Sequence, residues 1–353
     1  MITASTLTRQ PPSAGPIPDW QRELAQAVSD PLELCQLLQL DPGLALDARA
    51  GAGQFRLRVP RGFVRRMRRG DARDPLLLQV LPGRQELLEQ AGFGADPLAE
   101  AQAMPVPGLL HKYHGRALLI TTGACAVHCR YCFRREFPYD SAQGEGPRWQ
   151  AALQHIAADR SIEELILSGG DPLSLTTTRL AQLTASLRTL PHIRRLRLHT
   201  RTPVVLPERV DAELLAWIRA LPWPCVIVLH SNHAHEIDST VVHAAAQLRA
   251  AGATLLNQSV LLAGVNDSVD ALHALSLALW AAGVLPYYLH LLDRVRGAAH
   301  FEVDAARARE LMAALSARLP GYLVPRLARE SPGASSKTVL ACDELHSRAT
   351  GGW

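Results

Sequence analysis

From about residue 106 onward, short apolar runs alternate with longer amphipathic stretches. The runs are ALLITT (117–122), ELILS (164–168), RLRLHT (195–200), CVIVLHS (225–231), TLLNQSVLL (254–262) and LPYYLHLL (285–292). Their length and alternation predict strands; the segments near 148–159, 176–189, 207–220, 236–251, 267–282 and 304–318 have helical spacing. Six strand-then-helix units with short connections favour parallel strands and right-handed crossovers, as an open sheet or a barrel. A seventh run, YLVPRLA (322–328), reads as an edge strand or as an arm leading to Lys337.

The upstream pattern differs. WQRELAQAV, DPLELCQLLQL and RGFVRRMRRG are helix-like, separated by Pro and Gly breaks. The chain is therefore expected to divide into a mobile Pro/Ser-rich start (1–16), a helical subdomain (17–105), an α/β region (106–320) and a C-terminal arm (321–353). No stretch approaches the ~20 apolar residues that span a bilayer, and the polar start lacks the apolar run of a signal peptide, so a soluble, cytoplasmic protein is expected.

Composition narrows the chemistry. With 48% hydrophobic and 20% charged residues among 353, disordered, collagenous and coiled-coil classes are disfavoured. The net charge of +4 decides little, and the run Arg65, Arg66, Arg68 and Arg69 reads more readily as a solvated helix face than as an RNA contact. Of 37 basic residues only two are lysines, Lys112 and Lys337. A guanidinium does not readily become the nucleophilic amine of a Schiff base, so these two are the candidates for that role.

Six cysteines are too few for a disulfide framework in so long a chain, and three crowd into CAVHCRYC: Cys125, Cys129 and Cys132. Three thiolates in this C-x3-C-x2-C spacing suit a [4Fe-4S] cluster with one iron left open to a ligand. The alternative is zinc, with His128 or a remote residue as fourth ligand. Further polar residues stand at successive strand ends: Ser168 to Asp171, His199 to Thr202, His230 to His233, Asn257 to Ser259, and Asp293. In a parallel barrel these ends converge on one mouth.

The cysteine loop after the first strand, followed by Ser168-Gly169-Gly170-Asp171-Pro172 after the second, resembles the radical S-adenosylmethionine superfamily. From about residue 20 to 340, segments such as GLLHKYHGR, CRYCFRREFPY, RTPVVLPERV, NHAHEID, PYYLHLLD and LARESPGASSKT resemble lysine 2,3-aminomutases. The likeness is greatest to the short branch that makes (R)-β-lysine for modification of elongation factor P. The fold so implied is a partial (β/α)6 TIM-like barrel with an N-terminal helical subdomain and a short C-terminal arm.

The resemblance also implies roles. Cys125, Cys129 and Cys132 would hold the cluster, whose open iron binds S-adenosylmethionine. Ser168, Gly169, Gly170 and Asp171 would approach that molecule's methionine amino group, and His230 and Gln258 would contact it, with Asn232, His233 and Asn257 nearby. Pyridoxal 5'-phosphate would sit on Lys337, with Lys112 and Arg116 towards its phosphate and Tyr113 also at the cofactor. Arg134 would grip the substrate carboxylate, although local sequence does not choose between it and Arg135. Asp293 would receive the distal ammonium of L-lysine, and Glu330 stands where the family has a second aspartate, which changes the depth of the pocket.

The implied reaction is isomerisation of L-lysine to (R)-β-lysine by 1,2-amino migration, begun by a 5′-deoxyadenosyl radical. Implied partners are an elongation factor P lysine ligase and an electron donor such as a flavodoxin or ferredoxin; a membrane is not expected, nor is nucleic acid. Two other readings stay open: a radical enzyme acting on another amino acid, RNA or protein, and a non-catalytic zinc-stabilised binding module. Lys337 is followed by 353 − 337 = 16 residues without a cysteine cluster, so the subunit arrangement of longer clostridial-type aminomutases is not carried over.

Overall fold

The structure, a computed structural model, describes residues 18–53, 55–139 and 147–341. Among these residues nine strands form one sheet in chain order: β1 (Leu109–Tyr113), β2 (Arg116–Thr122), β3 (Glu164–Gly169), β4 (Arg195–Thr200), β5 (Cys225–His230), β6 (Ala253–Val260), β7 (Leu285–His290), β8 (Arg326–Arg329) and β9 (Thr338–Val339). Strands β2 to β8 are parallel, while β1 and β9 add antiparallel edges. The two edges do not pair, so the sheet is a partial, TIM-like barrel. The run 322–328 is not an edge strand: its last residues join β7 in parallel as β8, the chain then runs on to Lys337, and the edge belongs to β9, directly after that residue.

Period-two alternation decides what the barrel encloses, because successive side chains on a strand point to opposite faces. In β4, Leu196 and Leu198 are wholly buried in the core under the outer helices, while Arg197 and His199 face the interior. The same alternation turns Leu165 and Leu167 outwards and Ile166 and Ser168 inwards on β3. It likewise turns Leu289 and Leu291 outwards and Tyr288 and His290 inwards at β7. The crossover helices begin at side-chain caps that satisfy orphan N–H groups: Asp211, Asp238, Ser268 and Asp304 each accept from backbone one turn ahead. Asp211 also splits the helix expected at 207–220, which is a short 3-10 turn, Pro207–Arg209, followed by Ala212–Arg219.

The N-terminal helices, among them Asp19–Ala25, Pro31–Leu38 and Gly43–Ala52, do not stand apart. Trp20, Leu34, Phe63 and Leu76 share one apolar core with Ala126 and Val127 of the cysteine loop and with Val205 and Leu206. Farther along, the Gly94 N–H donates to Arg294 O at 3.0 Å and Arg296 N–H to Gly94 O at 2.9 Å, fastening this region to the end of the barrel. Arg66 belongs to the same seam and not to a solvated face: its Nη1 donates to Val204 O (2.8 Å) and Glu236 O (2.6 Å). No helix among the described residues is long and apolar enough to cross a membrane.

Candidate active site

The barrel encloses a cavity of about 540 Å³, within the usual range for small-molecule sites. Cys125, Cys129 and Cys132 line one part of it, and Lys337, Asp293 and Glu330 line another. Every other residue singled out from the sequence for a role also reaches its wall: Lys112, Tyr113 and Arg116 from β1 and β2, Arg134, Ser168 to Asp171, His230 and Gln258. The pair Arg134 and Arg135 is resolved by geometry. Arg134 lines the cavity, whereas Arg135 turns away to Glu86 (Nη2 to Oε2, 2.6 Å) and the carbonyl of Arg130.

The three thiols suit a cluster better than a single metal ion. Ligands around tetrahedral zinc with Zn–S bonds of ~2.3 Å lie only ~3.8 Å apart. Among the described residues, the His/Cys/Asp/Glu group whose ligand atoms all lie within 4.8 Å of one another does not include these cysteines. His128, the alternative fourth zinc ligand, engages Arg56 O through Nδ1 at 2.8 Å and stacks on Phe55. Burial pushes the Cys125 thiol well up, and burial followed by the proximity of Cys129 pushes Cys132 up to about 11. Thiols so placed gain from iron, whose positive charge replaces the proton.

The glycines of the second motif serve the loop that carries these cysteines. Gly169 has φ +118°, and a Cβ there would stand 2.5 Å from Thr122 O; one on Gly170 would run into Ala124 O. The Gly170 N–H donates to Thr122 O at 2.6 Å and the Asp171 N–H to Ala124 O at 2.9 Å. The close approach that glycine permits is therefore to the backbone at 122–124. Asp171 is committed to the fold as well, accepting from Thr200 Oγ1 (2.7 Å), Arg201 N (2.8 Å), Leu173 N (3.0 Å) and Thr202 N (3.0 Å).

Arg201, read from the sequence only as one of the polar strand-end residues His199 to Thr202 and given no role, touches the cysteine loop. Its Nη1 donates to the half-buried Cys129 Sγ at 2.7 Å, and its Nη2 makes two buried bonds, to Gln79 Oε1 (2.7 Å) and Glu236 Oε2 (2.9 Å). Asn232 donates to the same Gln79 oxygen at 3.0 Å. Glu100 is a second such residue: it grips Arg134 through two bonds, Nε to Oε2 at 2.7 Å and Nη2 to Oε1 at 2.8 Å. Arg134 Nη1 makes the longer contacts, 3.2 Å each to Ser168 Oγ and Gly169 O. The tripeptide Arg201-Thr202-Pro203 at a strand end was the visible hint for the first; nothing local marks Glu100.

At the far wall Lys337 Nζ lies 3.2 Å from His290 Nε2 and 3.6 Å from Glu330 Oε2, over the ring of Tyr288. Burial lowers its proton affinity, which Glu330 and Asp293 partly restore. Asp293 is pushed up to about 7 by burial and then by Glu330. Burial also drives His230 down to about 3 and His199 and His290 well below the ordinary histidine range, so all three rings are neutral. Arg116 stacks on Tyr113, 4.7 Å from its ring centre. His230 Nε2 meets Gln258 Nε2 at 3.0 Å. Asn257 does not reach the cavity and ties Ser231 to Ser259, while His233 caps the turn at His235.

Known proteins match this arrangement. Residues 114–198 fit the family described as "4Fe-4S single cluster domain". The chain is 50% identical to an L-lysine 2,3-aminomutase of Escherichia coli (strain K12) over 341 residues, covering 96% of this chain and 97% of that one. It is 46% identical to the protein of the same name from Haemophilus influenzae, over 92% of this chain and 96% of that one. With the L-lysine 2,3-aminomutase of Clostridium subterminale it shares 36% identity over 76% of this chain and 65% of the relative. Likeness of this extent, on a partial barrel with three cysteines facing its interior, makes the chain an isomerase of the lysine 2,3-aminomutase family within the radical S-adenosylmethionine superfamily.

Proposed function

We propose that the protein converts L-lysine to (R)-β-lysine by migration of the α-amino group, using pyridoxal phosphate on Lys337 besides its cluster and S-adenosylmethionine. The observation that carries this reading is that the cysteine trio and Lys337 open onto one cavity, with Arg134 and the Asp293–Glu330 pair also on its wall. When bound, the cluster and S-adenosylmethionine supply a carbon radical able to remove an unactivated hydrogen, and pyridoxal phosphate supplies a conjugated ring that spreads an unpaired electron.

The chain's own residues provide binding, orientation and dryness. Burial disfavours the ammonium form of Lys337, which eases release of a proton before its amine attacks an aldehyde, and His290 Nε2 stands 3.2 Å from that amine. Lys112 and Arg116 offer positive charge to a phosphate. Arg134 has a donor, Nη1, outside its paired grip on Glu100, and a substrate carboxylate can exchange for the Ser168 and Gly169 contacts there. Asp293 and Glu330 favour a cation at the other end. Holding both substrate ends turns the radical transfer into a positioned, effectively unimolecular step.

The proposal extends to a cytoplasmic enzyme supplied with electrons by a flavodoxin or ferredoxin, whose product passes to a ligase acting on elongation factor P. Reconstituted protein given lysine, S-adenosylmethionine and a strong reductant should form β-lysine of R configuration on chiral analysis. Borohydride treatment with pyridoxal phosphate should fix the cofactor to the peptide bearing Lys337. Cleavage of S-adenosylmethionine without β-lysine would count against the substrate, and an adduct on Lys112 would count against Lys337.

A further inference from the structure

We propose that His111, His155 and Asp159 form a second metal site, outside the cavity, for a divalent cation of the zinc type. Alternation along β1 sends Leu110 and Lys112 to the cavity wall, so His111 between them faces away from it. There it meets the helix Pro147–Ala158, which carries His155 in its last turn and Asp159 one residue past its end. One ligand atom from each of the three residues lies within 4.8 Å of the other two.

Four further observations point to a ligand. His111 Nδ1 stands 3.8 Å from Asp159 Oδ2. That is too long for a hydrogen bond and close to the ~3.4 Å that separates ligands held at ~2.1 Å by a tetrahedral ion. His155 Nε2 is buried with no hydrogen-bond partner, and its ring meets His111 edge-on. Asp159 Oδ1 is already held by Ser161 N (3.0 Å) and Ser161 Oγ (2.7 Å), which orients the carboxylate and presents Oδ2 to the histidines. In an arginine-rich chain, Asp159 has no arginine or lysine ion pair among the described residues.

Two imidazoles and one carboxylate suit zinc, cobalt or iron, and three protein ligands leave a position for water. A cation here would clamp β1, which carries Lys112 and Tyr113 into the cavity, to the outer helix.

The test uses holoenzyme with its cluster assembled, so that the cysteines are occupied, titrated with Zn²⁺ by calorimetry and with Co²⁺ by absorption. One zinc per chain is expected beyond the iron, and His111→Gln, His155→Gln and Asp159→Asn should each weaken it at least ~10-fold while iron content holds. Cobalt should give weak ligand-field bands without the intense thiolate charge-transfer band. No saturable zinc uptake, equal affinity in the three variants, or a cobalt–thiolate band that survives His155→Gln would each overturn the proposal. The three variants are read separately, so one that fails to fold leaves the other two decisive.

Discussion

Lys112 Nζ lies 3.2 Å from Glu330 Oε1, joining β1 at one edge of the open barrel to the segment that follows β8 near the other. The second oxygen of the same carboxylate lies 3.6 Å from Lys337 Nζ. Both lysines of the sequence thus flank one glutamate. The resemblance to aminomutases suggests Glu330 as a substrate contact; its position also makes it a counterion that favours the charged form of Lys337.

Replacing that carboxylate by an amide should therefore act on Lys337 first. In Glu330→Gln the anion that favours the ammonium is gone, so burial lowers the proton affinity of Lys337 further. The midpoint of imine formation with pyridoxal phosphate, followed by absorbance against pH, should move down by about one unit. Glu330→Asp keeps the charge and should leave the midpoint near its original value. A midpoint that stays put or rises in Glu330→Gln would detach Glu330 from Lys337.

Asp293 carries a pH signature of opposite sense to that of a salt-bridged carboxylate. Its folded pKa of about 7 exceeds the unfolded value of 3.8, so the native state retains a proton that the unfolded chain has released. Stability of the cofactor-free protein should fall as pH rises between those two values, by at most about 4 kcal/mol. Asp293→Asn should flatten that decline in a series of denaturant titrations. An equally steep decline in the variant would assign the proton to another group.

Arg201 links the cysteine loop to the N-terminal helices, and its loss should be felt at both. Arg201→Met leaves Glu236 buried without its cation, a change that typically costs about 3–5 kcal/mol. It also removes the 2.7 Å donor to Cys129 Sγ, which should lower the reduction potential of the assembled cluster. Arg201→Lys should recover part of the stability. A potential unchanged in Arg201→Met, measured by redox titration, would show that the contact does not persist once iron is bound.

Gly170→Ala tests the packing of the second motif against the first. The added methyl meets the Ala124 carbonyl and the Gly123 backbone, neither of which can swing aside. Iron bound per chain after reconstitution should fall severely, since the loop bearing Cys125 must move. Full iron loading in this variant would mean that the cysteine loop adapts at little cost.

How much of this was legible beforehand follows from the range of the interactions involved. The cysteine spacing, the glycine pair and the rarity of lysine are local or compositional facts, and each led to a residue on the cavity wall. The role of the glycines was legible only in part. Their small size was plain, but the surface they press against comes from another strand end. Arg66 shows the converse failure: four arginines in five positions look like a solvated face, yet one of them is drawn into a seam by Val204 and Glu236. The segment 322–328 likewise looked peripheral because nothing within it says that β9 will cover it.

Strand periodicity is set by backbone geometry, so the order of residues alone determined which side chains of β3 to β6 face the interior and which face the helices. Only the tertiary structure decided that Glu100 grips Arg134, that Gln79 and Glu236 hold Arg201 at Cys129, and that Glu330 stands between two lysines 337 − 112 = 225 positions apart. Those pairings depend on burial and charge brought together by closing the sheet upon itself, and no local pattern encodes a partner that distant.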